Sequence, residues 1–266
     1  MSPIYKTPDE ISRMRAAGRL AAQALQAVGK LVAPGVTTIE LDRAAHEFIV
    51  SRGGSPLFLN YRADPNRMPF PATICASVNE EVVHGIPGER VLIEGDIISV
   101  DVGVRMDGFC GDCASTFAVG ALRRKAARLL DATQLALTRA ISAMRVGGVM
   151  RDISAAIQKA IEVSNFAVVR QFVGHGIGED MHEPPQVANY VPGWRESLAS
   201  DREVESLKLA PGLVLAIEPM ATAGGCAVQV DPRNGWVVRT RDRSLSAHFE
   251  HTVAMTPEGP LVLTQA

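Results

Sequence analysis

A short pattern recurs in the two halves of this chain and limits what it can fold into: a glycine turn, an apolar strand, and an acid at the strand's end. Gly95-Asp96-Ile97-Ile98-Ser99-Val100-Asp101 returns as Gly212-Leu213-Val214-Leu215-Ala216-Ile217-Glu218, with the glycine-to-acid spacing unchanged. The elements that precede it recur too. Thr7, Pro8 and Glu10 supply an N-cap, a first-turn proline and a capping-box acid. Ile11, Met14, Gly18, Ala21, Leu25, Val28 and Val32 then follow at helical spacing, and Pro34-Gly35 stops the helix. Thr37 and Glu40 open a second helix that runs to about residue 51. Helices over about 122–144 and 151–164 repeat the pair, and Gly148-Val149 repeats the Gly35-Val36 loop. The expectation is an α/β (α+β) chain, internally duplicated with pseudo-two-fold symmetry. It reads as a single domain over 1–266 with pseudo-halves of about 1–120 and 121–266, its acids meeting near the axis.

The acids sit where acids are costly. Asp101 interrupts a strand over 97–104, sharing its face with Ile97, Ser99 and Gly103, while Ile98, Val100, Val102 and Val104 fill the other face. Asp107-Gly108 is a hairpin turn, with the return strand over 110–119. That register puts Gly103 opposite Asp112, so Asp101 and Asp112 become diagonal neighbours roughly 7–8 Å apart. Glu218 repeats the arrangement of Asp101, and Glu250 sits in a third apolar strand over 249–255. One such acid would read as facing water or an arginine. Four on apolar strands, at matching places of two halves, call for metal cations to offset their burial. His175, within the glycine-rich turn Gly174-His175-Gly176-Ile177-Gly178, adds one nitrogen. Four carboxylates and an imidazole suit Co, Mn, Fe(II) or Zn, and the donor count favours two ions.

Composition narrows the setting. Lys+Arg 27 against Asp+Glu 29 gives a net charge of −2, which argues against a basic DNA-binding surface. Four cysteines are too few for a disulfide framework, the N-terminus lacks the apolar region of a signal peptide, and no stretch is apolar enough to span a membrane. A cytoplasmic enzyme is expected, with no membrane partner. Cys110 and Cys113 are three apart on a strand and point to opposite faces, which argues against a redox or zinc motif.

The ordered motifs resemble those of bacterial type I methionine aminopeptidases: SVNEEVVHGIP at 77–87, DVGVRMDGFCGD at 101–112, GHGIGEDMHEPPQ at 174–186, IEPM at 217–220 and FEHT at 249–252. The resemblance covers nearly the whole chain. It implies the pita-bread fold, a central antiparallel sheet covered by two helix pairs. It implies that Asp101 binds one metal, that Asp112 and Glu250 bridge, and that His175 and Glu218 bind the other. It gives His84 and His182 the roles of substrate-contacting catalytic histidines, and Glu218 a further role as proton relay. It sets Phe58, Tyr61, Phe70, Cys75, Met181 and Trp236 near the pocket for a methionine side chain, an apolar, sulfur-lined site suited to a thioether. The implied activity is removal of the N-terminal methionine from nascent polypeptides by dimetal-activated water attack, favouring a small second residue, with ribosome association; a monomer is the expected state. Insertions at 62–68 and 194–205 lengthen the rim. His248, on the face of Glu250, stands where the family often has Gln, whereas His251 points the other way and reads as structural. The rival readings are a proline-specific peptidase of the same fold, which usually carries an added N-terminal domain, and a non-catalytic pita-bread binding protein, which typically lacks the metal ligands.

Overall fold

A computed structural model describes residues 2–62, 64, 68–192 and 199–266. In chain order the elements are α1 (Pro8–Gly29), α2 (Thr38–Val50), β1 (Ser55–Pro56), β2 (Ile74–Val78), β3 (Glu81–Val83), β4 (Ile97–Met106) and β5 (Phe109–Ala118). Then come α3 (Arg124–Ala143), α4 (Met150–Val163), β6 (Ala167–Val168), β7 (Gly174–Gly176), β8 (Glu183–Val187) and α5 (Ala199–Glu205). The chain closes with β9 (Val214–Ile217), β10 (Met220–Thr222), β11 (Val228–Val230), β12 (Val238–Thr240), β13 (Ser246–His248), β14 (Glu250–Thr256) and β15 (Gly259–Val262).

Local chemistry accounts for the helix starts. At α1, Glu10 Oε2 accepts from the Thr7 N–H while Thr7 Oγ1 accepts from the Glu10 N–H, a complete capping box. At α2, Glu40 Oε2 takes both the N–H (2.7 Å) and the hydroxyl (2.6 Å) of Thr37. The Asp107-Gly108 turn has both residues at positive φ (50° and 85°), the twist a two-residue hairpin needs, and it fixes the β4–β5 register with Gly103 opposite Asp112 as expected.

The main sheet orders its strands β1-β4-β5-β14-β9-β7-β8, with β2 also on β4 and β15 also on β14, and all of its ladders are antiparallel. β14 is the seam: it pairs with β5 of the first half on one side and β9 of the second half on the other. Each half buries its own apolar face. Ile98, Val100, Val102 and Val104 lie under α1 and α2 with Leu20, Val28, Leu41 and Ile49. Leu213, Leu215 and Ile217 lie under α3 and α4 with Leu129, Ile153 and Ile157. The duplication extends to single residues: Gly95 and Gly212 share a positive φ (88° and 94°).

Three details differ from the sequence expectation. The helix-loop correspondence shifts by one, since it is Gly147 (φ 79°) that matches Gly35 (φ 95°), and Val149 at the α4 N-cap that matches Thr37. His175 lies on β7 rather than in a turn. There Gly174 and Gly176 lack the Cβ atoms that would collide with the Ala216 and Pro184 carbonyls. α5 adds a short helix that the sequence reading does not contain. The inserted segments at 62–68 and 194–205 fall largely outside the described residues, α5 being the described part of the second.

The segment before α1 also ties the halves together. Lys6 N–H donates to Gly212 O, and its ammonium forms a buried ion pair with Glu183, the residue after His182. Gly178 leaves room for the Lys6 stem, because a Cβ there would overlap it. No helix among the described residues is long and apolar enough to cross a membrane.

α1 rests on β5 through a glycine–glycine contact: a Cβ at Gly111 would lie 2.5 Å from the Gly18 Cα and backbone nitrogen. Gly111→Ala should therefore push α1 off the strand that carries Asp112. A loss of about 1–3 kcal/mol in a urea unfolding titration is expected, whereas an unchanged midpoint would show that the helix can shift at no cost.

Candidate metal centre and active site

Following the register across the sheet arranges the donors in two rows on one face. In the first, Cys75, Asp101, Ala114 and Glu250 stand opposite one another from β2 to β14. The His251–Ile217 pairing and the bond from Phe249 N–H to Pro219 O continue that register, which sets Glu218 across from Glu250. The second row, two residues along, runs Gly103, Asp112, Thr252, Ala216 and His175. Thr252 joins its row to β5: its Oγ1 accepts from the Asp112 N–H (3.0 Å) and donates to the Asp112 carbonyl (2.8 Å). Residues with short side chains, Ala114 in the first row and Thr252 and Ala216 in the second, thus stand between the donors and leave the space above the sheet to them. Sequence reading identified the donors and missed these spacers, which are legible only once β14 is seated between the halves.

The carboxyl groups are out of water and close together. Desolvation, and next the charge of Asp112, raises the pKa of Asp101, Glu218 and Glu250 well above the carboxylate range. Asp112 itself is pushed up to about 7 by desolvation, opposed by hydrogen bonds from Asp101 and from the Cys113 N–H. Desolvation works the other way on the imidazoles, taking His175 and His248 down to about 3 and His84 to about 4, so all three are neutral with lone pairs to offer. Asp101 Oδ1, Asp112 Oδ1, Glu250 Oε1 and His248 Nε2 are buried without any hydrogen-bond partner. Asp112, His175 and Glu250 each offer a donor atom within 4.8 Å of the others. His175 Nε2 lies 3.7 Å from Glu218 Oε1. Partnerless acceptors, shared protons and neutral imidazoles form a donor set that a divalent cation fits.

The donors floor a pocket with about 480 Å³ of space free of atoms, its mouth included. All five expected metal ligands line it, together with His84 and His182. Its apolar end is a cluster of Phe58, Phe70, Cys75, Met181 and Trp236, with Tyr61 packed alongside. Phe58 lies directly over Gly103, where a Cβ would come within 2.6 Å of its ring. Phe70 and Trp236 meet edge to face at 5.4 Å, and Trp236 Nε1–H donates to Met68 O at 2.9 Å.

The two histidines stand on loops at the pocket wall. His84 has a left-handed backbone (φ 59°), a conformation a non-glycine residue holds only when its surroundings impose it. Its ring lies between Phe172 (5.7 Å) and Trp236 (6.0 Å), both edge to face. His182 is at the mouth, 4.3 Å from the His175 ring, and its Nδ1 is hydrogen-bonded to the Tyr61 hydroxyl at 2.7 Å. Phe172 and the Tyr61–His182 bond were not anticipated, since neither has a periodic or motif signal. His251 is bonded to Thr264 Oγ1 (2.9 Å) away from the site, as expected. Cys110 and Cys113 enter separate apolar clusters and are free thiols.

The sequence pattern of metallopeptidase family M24 matches residues 12–257. Methionine aminopeptidase of Clostridium acetobutylicum is 44% identical over 98% of this chain and 98% of its own. Methionine aminopeptidase 1 of Bacillus subtilis is 43% identical over 98% of this chain and 99% of its own. The crystal structure of methionine aminopeptidase from Rickettsia prowazekii superposes with a TM-score of 0.91 at 38% identity, covering 99% and 100% of the two chains. A Xaa-Pro dipeptidase from Bacillus anthracis shares the fold alone, at 21% identity and a TM-score of 0.73, and this chain covers 62% of it.

A cation entering this site must displace protons. The acids are held above their usual pKa, Asp112 at about 7, so they are partly protonated below neutrality and lose those protons on binding. Apparent affinity for Mn(II) should therefore rise between about pH 6 and 8. Calorimetry at pH 6.5 in buffers of different ionisation enthalpy should register net proton release; a buffer-independent heat would mean the acids are already ionised.

Proposed function

The chain belongs to metallopeptidase family M24, and from that membership we infer that it is a methionyl aminopeptidase, hydrolysing the peptide bond after an N-terminal methionine. The observation that carries this reading is a single pocket in which the five donors and two histidines face an apolar, sulfur- and aromatic-lined end. The residues divide the work as follows. Asp101 would hold one ion, His175 and Glu218 a second, with Asp112 and Glu250 shared. Bound divalent ions supply an anchor for the free α-amino group, polarisation of the scissile carbonyl and an acidified water. Cobalt, manganese, Fe(II) and zinc all suit the donors.

The chain's own groups do the rest. Glu218, at the end of β9, accepts the proton of the attacking water and passes it to the leaving amine. The Tyr61 phenol, its pKa raised by burial, stays protonated and donates a hydrogen bond to His182 Nδ1, which leaves Nε2–H to stabilise the oxyanion. His84, held between the two aromatic edges, contacts the substrate with its ring. Phe58, Phe70, Cys75, Met181 and Trp236 enclose the thioether and exclude water. An enclosed end of this size admits one side chain, and a small second residue eases passage of the chain past Tyr61 and His182. The substrates are nascent polypeptide N-termini in the cytoplasm, met by a monomer that associates with the ribosome, and residues 1–266 act as one catalytic unit.

Incubation of the purified protein with Met-Ala-Ser and with Ala-Pro-Ser, adding Mn, Fe(II), Co or Zn in turn, tests the reading. Release of methionine alone supports it. Cleavage before proline would move the chain to the proline-specific peptidases, and silence from folded, metal-loaded protein would favour a binding role. His84→Ala should keep the metals yet lower kcat/KM by about 10²–10⁴-fold; loss of metal in that variant would refute the substrate-contact role.

A further inference from the structure

The pairing of β5 with β14 has a local two-fold that exchanges Ala114 with Glu250. The same exchange carries Asp101, opposite Ala114, onto Glu218, opposite Glu250. It carries Thr116 onto Thr252, and Asp112 onto His248. The hydrogen bonds agree at each point. Thr252 Oγ1 accepts from the Asp112 N–H and donates to its carbonyl at 3.0 and 2.8 Å; Thr116 Oγ1 accepts from the His248 N–H and donates to its carbonyl at 2.9 and 2.8 Å. Asp112 stands opposite Gly103 and His248 opposite Met220, the residues two beyond Asp101 and Glu218. His248 therefore occupies, in the second half, the place that Asp112 holds in the first.

Its side chain fits that place. It is 2% exposed, its Nε2 has no hydrogen-bond partner, and that nitrogen lies 3.7 Å from Glu218 Oε2 and 3.8 Å from Glu250 Oε2. These separations are too long for hydrogen bonds. They match the 3.7 Å between His175 Nε2 and Glu218 Oε1. Donors that share an ion at about 2.0–2.2 Å each stand roughly 3–4 Å apart. Glu218 is thus flanked by an imidazole at each of its oxygens, His175 on one and His248 on the other.

We propose that His248 is a sixth protein donor of the metal centre, placing a second imidazole nitrogen on the ion shared by Glu218 and Glu250. The proposal rests on the metallopeptidase reading and deepens it, since two nitrogens bias the site from Mn toward the metals that prefer imidazole, Zn, Co and Fe.

Pulsed electron paramagnetic resonance on the wild-type protein decides the point without mutation. With only histidine ¹⁵N-labelled and Mn(II) added, two coordinated imidazoles are expected; one would overturn the proposal. In parallel, His248→Gln, checked for folding by circular dichroism, should lose one imidazole signal and bind Co(II) about tenfold or more weakly by calorimetry. Unchanged affinity and signal would also overturn it. Failure of the wild type to bind Mn(II) or Co(II) at all would instead bring down the functional reading beneath it.

Discussion

Mutual repulsion among four buried carboxyl groups is the constraint around which this molecule is arranged. Two unit charges 4 Å apart interact by about 4 kcal/mol at an effective dielectric near 20, and a whole domain is stable by only about 5–15 kcal/mol. No arginine or lysine is paired with Asp101, Asp112, Glu218 or Glu250 among the described residues. What holds the acids together is backbone: antiparallel ladders running through β4, β5, β14 and β9, with an apolar core under each half. Burial, and next their mutual repulsion, keeps protons on the acids, and burial strips them from the neighbouring imidazoles.

Around this fixed floor the fold divides labour between sheet and loops. Donors that must keep their distances sit on or at the end of strands, where a neighbouring ladder fixes each Cα. His84 and His182 sit on loops at the pocket wall, and each loop is tethered by charge pairs outside the pocket. Beside His84, Arg239 joins Glu81 on β3 to Asp231 after β11, at 2.8 and 2.7 Å. Beside His182, the buried Lys6–Glu183 pair brings in the chain's first residues. Tyr61 completes the division by joining the pocket wall to the His182 loop in one hydrogen bond.

Much of this was legible in the sequence, for identifiable reasons. The acids stood out because a charged residue in an apolar run is expensive, and the Asp107-Gly108 turn let the β4–β5 register be read directly, since a two-residue hairpin leaves no freedom. Capping boxes at Thr7 and Thr37 marked helix starts because both partners are local. What escaped was non-local. Nothing near Glu250 says that its strand lies between the halves, so the spacer residues and the kinship of Asp112 with His248 had no sequence signature. Gly174 and Gly176 were read as a turn because glycine's usual role is conformational freedom, whereas here it is thinness, allowing β7 to pass close to two carbonyls. Tyr61 was recognised as part of the pocket wall, but its bond to His182 depends on how two distant loops pack.

The position of β14 has a consequence for how such a chain comes into being. The strand that closes the centre must lie between β5 and β9, and its pairing with β5 is a contact of large sequence separation and high loop-closure entropy. Neither half alone presents the full donor set, since Asp101 and Asp112 come from the first and His175, Glu218 and Glu250 from the second. A cation is therefore retained only by molecules in which the final strand has found its place. By mass action such a ligand stabilises the completed fold, by about 2.7 kcal/mol when free ion exceeds its dissociation constant a hundredfold. Metal supply would then shift the equilibrium toward molecules in which β14 is seated between the halves.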